Sequence, residues 1–501
     1  MSKTLAMLFL TAEVALGGGG SPPDPTQLTL TQAAEQIRAR TLTSEQLVRA
    51  LLARIDRSTQ LNAFITLDRE GALAAARRAD KQTAQGGTLP PLHGVPLVFK
   101  DNIDVMGLPT SGGTAALRTA TARRSAPVVA ALIDAGAIVL GKTNLHELAF
   151  GITSDNATFG SVRNPYDLTR FAGGSSGGTA AALAARLAPG GLGTDTGGSV
   201  RIPAALTGTV GLRPTVGRYS QAGIVPLSNT RDTAGPMART VEDVALLDAL
   251  ITGENVTLQA APLRGLRLGV PRAYFYDDLD PETSRVIEAA LSRLEAAGAV
   301  LVPVELPGLA ELNARIGFPV VLYEVLRTLP AYLKASGSGV TLDNVVAGIR
   351  SPDVVGAFAA ALGPDGQPGT ADDAISQQVY QGAIQGARPA LQALYRQTFA
   401  NFKIEALIFP TTPAPAQPIQ GSVEQVMVAG RAVPTFNTFI RNTDPSSNAG
   451  LPGLSLPAGL TAQGLPVGLE LDGPAGSDRR LLAIGAALSK VLGPVTVPQL
   501  P

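Results

Sequence analysis

The sequence predicts an α/β fold, a large mixed β-sheet covered by helices on both faces, and two observations carry that expectation. First, helix and strand patterns alternate in a fixed order. Ala126-Pro127 opens a helix through Ile133, Gly136 supplies a left-handed stop, and Ala137-Ile138-Val139-Leu140 follows as a short apolar strand. The order returns where Asp280-Pro281 starts a helix with Val286, Ile287, Ala290, Leu291 and Leu294 on one face. Gly298 ends that helix, and Val300-Leu301-Val302 forms the next strand. Second, these strands are apolar at every position rather than at alternate ones, as strands held between two helical layers must be.

Residues 1–25 read as a leader. Lys3 precedes an apolar run from Leu5 to Ala12, and Ala15-x-Gly17 has the form of a cleavage region, as in a secretory signal; Glu13 interrupts that pattern. Export follows if the leader is a signal peptide, and a cytoplasmic location otherwise. The remainder, 26–501, reads as a single domain because no composition break divides it. Helices follow Thr31 and Thr43. The second has capping-box spacing in Thr43-Ser44-Glu45-Gln46 and an apolar stripe of Leu47, Leu51 and Ile55. Residues 92–99 read as a buried strand that leaves Lys100 where strand gives way to loop.

Residues from about 310 to 400 have the pattern of a helical cap or insertion, with helices near 320–333 and 377–402 around loops rich in glycine and aspartate. One such loop, Pro364 to Asp373, carries acidic residues in a glycine turn but lacks EF-hand ligand spacing, so it reads as a solvated loop. Beyond it, 406–409, 453–457 and 466–471 read as strands completing the same sheet, and Asp478–Leu492 as a closing amphipathic helix.

Forty basic and forty acidic residues cancel, and only 16% of the chain is charged, which gives no electrostatic basis for holding nucleic acid. A small neutral substrate suits such a chain. Cysteine is absent, which excludes disulfides and thiolate metal sites. With His93 and His146 the only histidines, no metal or cofactor is expected. No run reaches the ~20 apolar residues of a membrane span. A homodimer stays open.

The chemistry-bearing residues are Lys100, Ser175 in Gly173-Gly174-Ser175-Ser176-Gly177-Gly178, and Ser199 in Gly193-Thr194-Asp195-Thr196-Gly197-Gly198-Ser199. Glycines around Ser175 and before Ser199 let the backbone approach a substrate closely. The run Thr196, Gly197, Gly198, Ser199 has the composition of a nest of N–H groups that holds a developing oxyanion. With two histidines in the chain, activation of a serine by lysine is the more economical arrangement. Keeping a lysine neutral at pH 7 costs about 4.6 kcal/mol, which burial must supply. Local sequence alone favours a different fate for Lys100, an ion pair with Asp101 or Asp104. His146, among apolar neighbours, reads as structural.

These stretches together resemble the amidase signature family, from Leu92 through about Val241 and again from about Ile408 to Leu492. The resemblance implies a Ser-cis-Ser-Lys triad with Ser199 as nucleophile, Ser175 as bridging serine and Lys100 as base. It also implies a cis peptide between Gly174 and Ser175 and an acyl-enzyme intermediate. Asp195, with Ser176 and Arg201, would support the oxyanion loop. Thr143 to Gly151, Asn164-Pro165-Tyr166-Asp167, Thr230-Arg231-Asp232-Thr233-Ala234-Gly235-Pro236-Met237 and Phe318 to Glu324 are similar to the indoleacetamide and mandelamide hydrolase branch. That implies a small, aryl-substituted primary amide as substrate. The alternatives are the glutamine-hydrolysing A subunit of a tRNA-dependent amidotransferase and a peptide amidase.

Overall fold

The computed structural model describes residues 24–370 and 372–499; the leader expected over the first residues therefore lies, up to residue 23, outside the described residues. Eleven strands form one sheet. In chain order they are β1 (Phe64–Leu67), β2 (Pro96–Lys100), β3 (Ile138–Thr143), β4 (Gly190–Asp195), β5 (Val210–Arg213), β6 (Thr233–Ala238), β7 (Arg267–Val270), β8 (Val300–Pro303), β9 (Ala406–Pro410), β10 (Gly453–Leu460) and β11 (Pro466–Asp472). Across the sheet the order is β1-β3-β2-β4-β6-β5-β10-β11-β9-β7-β8. Parallel pairs join β3, β2 and β4 at one end and β9, β7 and β8 at the other. The middle is antiparallel, so the sheet is mixed as expected.

Every residue of β2, β4, β5, β6, β9 and β11 is buried, which requires cover on both faces. Helices supply it. Thr43 caps Ser44–Asp56 through the capping box expected with Gln46, and Leu47, Leu51 and Ile55 of that helix are buried. Asp280 caps Pro281–Ala296 by accepting from two amides of the first turn, and Val286, Ile287, Ala290, Leu291 and Leu294 face the core. Asp478–Leu492 closes the sheet's other half.

Between β8 and β9 the chain forms Leu309–Ala314, Gly317–Ser336, Leu342–Gly348, Pro352–Leu362, Gln377–Gly382 and Arg388–Phe402. Helices thus occupy part of what the sequence reads as loop. Leu342, Val345, Val354 and Phe358 are buried against the long helix, and that packing makes two short helices where glycine and aspartate suggest none. Gly317–Ser336 is apolar, but Val320, Val325, Leu329 and Leu333 are covered by protein, and the buried Glu324 in its middle accepts four hydrogen bonds. It is a core helix rather than a membrane span. In the acidic turn before Gln377–Gly382, Asp365 and Asp373 accept main-chain N–H groups of their own loop.

Candidate active site

β2 delivers Lys100 at its C-terminal end, beside Thr143 of β3, into a fully buried position. Its Nζ lies 2.7 Å from Ser175 Oγ and 2.7 Å from Thr194 Oγ1, and Asn102 Nδ2 donates to the same threonine hydroxyl at 3.0 Å. Among the described residues no carboxylate forms an ion pair with it. Burial lowers its pKa to about 7, against the opposing pull of Asp195 and Asp232. The pairing that local sequence favours is therefore not formed. Asp101 instead pairs with Lys142 Nζ at 3.0 Å and accepts from Ser111, while Asp104 accepts from the Tyr332 hydroxyl at 2.9 Å. β3 explains the exchange, because it places Lys142, one residue before Thr143, within reach of the aspartate that follows β2.

Ser175 and Ser199 each stand just before a helix, Gly177–Ala184 and Arg201–Thr207. The Gly174–Ser175 peptide is cis. Ser176 ties this turn to β4, its hydroxyl donating to the Thr194 carbonyl and accepting the Thr194 N–H, both at 3.2 Å. Ser176 N–H donates to the Ser199 carbonyl at 3.1 Å, so the two serine turns are joined through main chain. Among the described residues no hydrogen bond links the Ser175 and Ser199 hydroxyls, and none holds Ser199 Oγ.

The loop after β4 is shaped by Asp195. Its carboxylate accepts Gly198 N–H at 2.8 Å and Val200 N–H at 3.1 Å, and it is gripped by Arg201 and Arg213. Burial pushes this carboxyl up, but the two guanidinium groups prevail and hold it well below the usual range. Arg201 also reaches Glu470 at 2.9 Å, Ser446, Ser447 and the Thr443 carbonyl. Gly198 has φ +141°, and a Cβ there would stand 2.1 Å from Thr443 Oγ1, so no other residue fits. One expectation changes: the Gly198 amide is spent on Asp195. The amides of Thr196, Gly197 and Ser199 carry no partner among the described residues. Asp232, absent from the expected set, fixes the loop from the other side by accepting the Thr196 hydroxyl at 2.6 Å.

Ser199 borders a cleft with apolar and aromatic walls. Its walls include Phe150, Ile152, Leu227, Val321 and Ile440, with Phe318 and Phe436 at a ring separation of 5.4 Å. Arg231 and Asp444 are the charged groups in the wall, and they pair with each other. A second cleft shares Phe150, Ile152, Phe318 and Phe436 with the first. The His146 main-chain N–H donates to the Ser175 carbonyl at 3.1 Å, but among the described residues its ring bonds to none of Lys100, Ser175 and Ser199. Its Nδ1 accepts Ser154 N–H at 3.2 Å, which leaves Nε2 to face Asp353 at 2.9 Å. Thr194, Asn102, Arg231 and Asp232 all fall within stretches the sequence singles out, but nothing in the residues assigns them partners. Phe150 and Phe318 also lie in such stretches, whereas Phe436 and Asp444 carry no local signal.

Fold and cleft together define an α/β enzyme with its polar groups gathered at strand ends. The sequence pattern of the family described as Amidase matches residues 46–482. The chain is 45% identical to the indoleacetamide hydrolase of Agrobacterium vitis over 464 residues, covering 93% of this chain and 97% of that one. It is 43% identical to the mandelamide hydrolase of Pseudomonas putida, covering 93% and 92%. A crystal structure of an amidase superimposes with a TM-score of 0.81 at 34% identity, covering 93% of this chain and 100% of the other. The chain belongs to the amidase family and is an amide hydrolase.

Proposed function

We propose that this protein hydrolyses the C–N bond of a small, aryl-substituted primary amide to a carboxylic acid and ammonia, through Lys100, Ser175 and Ser199 and an acyl-enzyme. The observation that carries the proposal is the environment of Lys100. A fully buried amine whose side-chain partners are hydroxyls, with its pKa drawn down to about 7, is suited to accept a proton. In the proposed sequence Ser199 Oγ turns toward Ser175 and attacks the amide carbon. Its proton passes to Ser175 as the Ser175 proton passes to Lys100 Nζ. The oxyanion is held by the amides of Thr196, Gly197 and Ser199, a contribution of about 3 kcal/mol per well-placed donor. The proton then returns through Ser175 to the leaving nitrogen, the C–N bond breaks and ammonia departs. Water, activated by the same relay, opens the Ser199 ester and releases the acid.

The apolar, aromatic cleft suits an aryl acyl group, and the relatives named as indoleacetamide and mandelamide hydrolases favour that class over the glutamine-dependent and peptide amide readings. The test is ammonia release from a panel of aryl, alkyl and peptide amides and glutamine, with wild type and Ser199→Ala. Arylacetamides should lead the panel, and Ser199→Ala should lose about 10⁴-fold or more in kcat. Hydroxylamine added during turnover should divert the acyl group to a hydroxamate. A Ser199→Ala protein that keeps its rate, or a wild type inert toward every amide, refutes the proposal.

A further inference from the structure

We infer that Glu470 and Asp472 share one proton at neutral pH and act, through Arg201, as positioning residues for the loop after β4. While the proton is held, Arg201 stays on Asp195; when it leaves, the loop loosens. The consequence for catalysis rests on the proposed use of the Thr196, Gly197 and Ser199 amides, whereas the shared proton does not. Both acids lie on β11, two residues apart and therefore on one face, and both are fully buried. A Cβ built on Gly453 would stand 2.8 Å from Glu470 Oε1 and 2.9 Å from Asp472 Oδ1, so the two carboxyl groups converge over the same glycine.

The charges around the pair leave a place for that proton. The cations are Arg201, from helix Arg201–Thr207, and behind it Arg213 of β5; the acids are Asp195 of β4, Glu470 and Asp472. Two guanidinium groups thus face three carboxyls, all of them buried, and one proton makes the group neutral. Among the described residues no other cation pairs with either acid. Their partners across the sheet are uncharged, Gly453 and Ser455 on β10 and Leu407 and Phe409 on β9. Ser446 and Ser447 beside Arg201 are neutral as well. So is Tyr395 from helix Arg388–Phe402, whose hydroxyl is held protonated by burial and by the charge of Asp472.

Hydrogen bonding points the same way. Arg201 Nη1 donates to Glu470 Oε1 at 2.9 Å but stands 4.0 Å from Asp472 Oδ1. Glu470 Oε2 and both Asp472 oxygens are buried without a hydrogen-bond partner among the described residues. A carboxylate left in that state is costly, and two carboxyls in one site relieve the cost by holding a proton between them. Burial pushes both groups up, and the charge of Glu470 adds to the rise of Asp472. Once the proton is gone, both acids draw on the guanidinium that grips Asp195, whose carboxylate fixes the Gly198 and Val200 amides.

The test compares wild type with Asp472→Asn and Asp472→Leu, each of which removes one acid and with it the need for the proton. Infrared difference spectra at neutral pH should show a protonated-carboxyl band in wild type that both variants lack. Urea unfolding reads the same proton independently. The unfolded chain has released it by about pH 5, so the wild-type unfolding constant divided by either variant's should climb about tenfold per pH unit above neutrality, until the pair ionises. With phenylacetamide, wild-type kcat should fall about tenfold or more at the pH where that ratio levels off, because the oxyanion donors lose their alignment, while the variants hold their plateau through it. A flat ratio, or a band unchanged by both substitutions, overturns the shared proton. An alkaline fall common to all three proteins overturns the positioning role. A wild type inert toward every amide that still gives the band and the climbing ratio would sink the proposed reaction and leave the shared proton standing.

Discussion

Replacing Lys100 by methionine should abolish turnover and, near neutral pH, make the protein more stable. Burial lowers the Lys100 pKa from 10.5 to about 7. Between those values the unfolded chain holds a proton that the folded protein does not, so stability rises with pH through that window. The cost of carrying this lysine into the core is fully present below about pH 7 and vanishes above about pH 10.5. It amounts to about 4 kcal/mol at pH 7 and about 2 kcal/mol at pH 9. Methionine of similar length removes it. Two hydrogen bonds go as well, to Ser175 and Thr194, which returns about 2 kcal/mol. The variant should therefore gain about 2 kcal/mol at pH 7, an advantage that disappears by about pH 9. Urea unfolding of both proteins at a series of pH values reads the difference, in which every other titrating group cancels. The same titration predicts that wild-type kcat/KM falls as pH drops through about 7. A methionine variant whose stability relative to wild type does not change with pH would show that Lys100 stays protonated, and the base assignment would fail.

Arg201→Met should cost about 3 to 5 kcal/mol, since it strips the buried Asp195 and Glu470 of a shared cation; thermal or urea unfolding at pH 7 checks this, and a loss under about 1 kcal/mol contradicts it. Gly198→Ala should inactivate the enzyme and lower its unfolding midpoint, because the added methyl meets Thr443 Oγ1 at a positive φ. Phe318→Ala should raise KM for arylacetamides several-fold with little loss of stability, as Phe318 borders the cleft yet is 48% exposed. Steady-state kinetics with paired urea curves tests the last two.

The parts of this molecule that the sequence discloses are those where local chemistry and tertiary structure agree. Thr43 and Asp280 cap the helices that follow them in the sequence, and β8, β9, β10 and β11 lie where apolar runs predict them. β4 does not announce itself, because Gly190-Gly191-Leu192-Gly193-Thr194-Asp195 has almost no strand propensity. Its glycines answer to crowding instead: a Cβ on Gly191 would meet the Val98 carbonyl at 2.4 Å and one on Gly193 the Ser176 hydroxyl at 2.6 Å. A strand squeezed between neighbours by tertiary packing is legible only from the neighbours. The same reason separates the site into readable and unreadable halves. Lys100, Ser175 and Ser199 sit in stretches whose glycines advertise close approach. The partners that decide their chemistry are chosen by register, so that Asp101 goes to Lys142 of β3 and Lys100 is left to hydroxyls. Arg231 and Asp444, 213 residues apart, meet only in the fold, where the Gly317 carbonyl accepts from the same guanidinium. Partners set by long-range contacts are thus the part of the site that a linear reading finds last, even where one of the two residues sits in a stretch the sequence singles out.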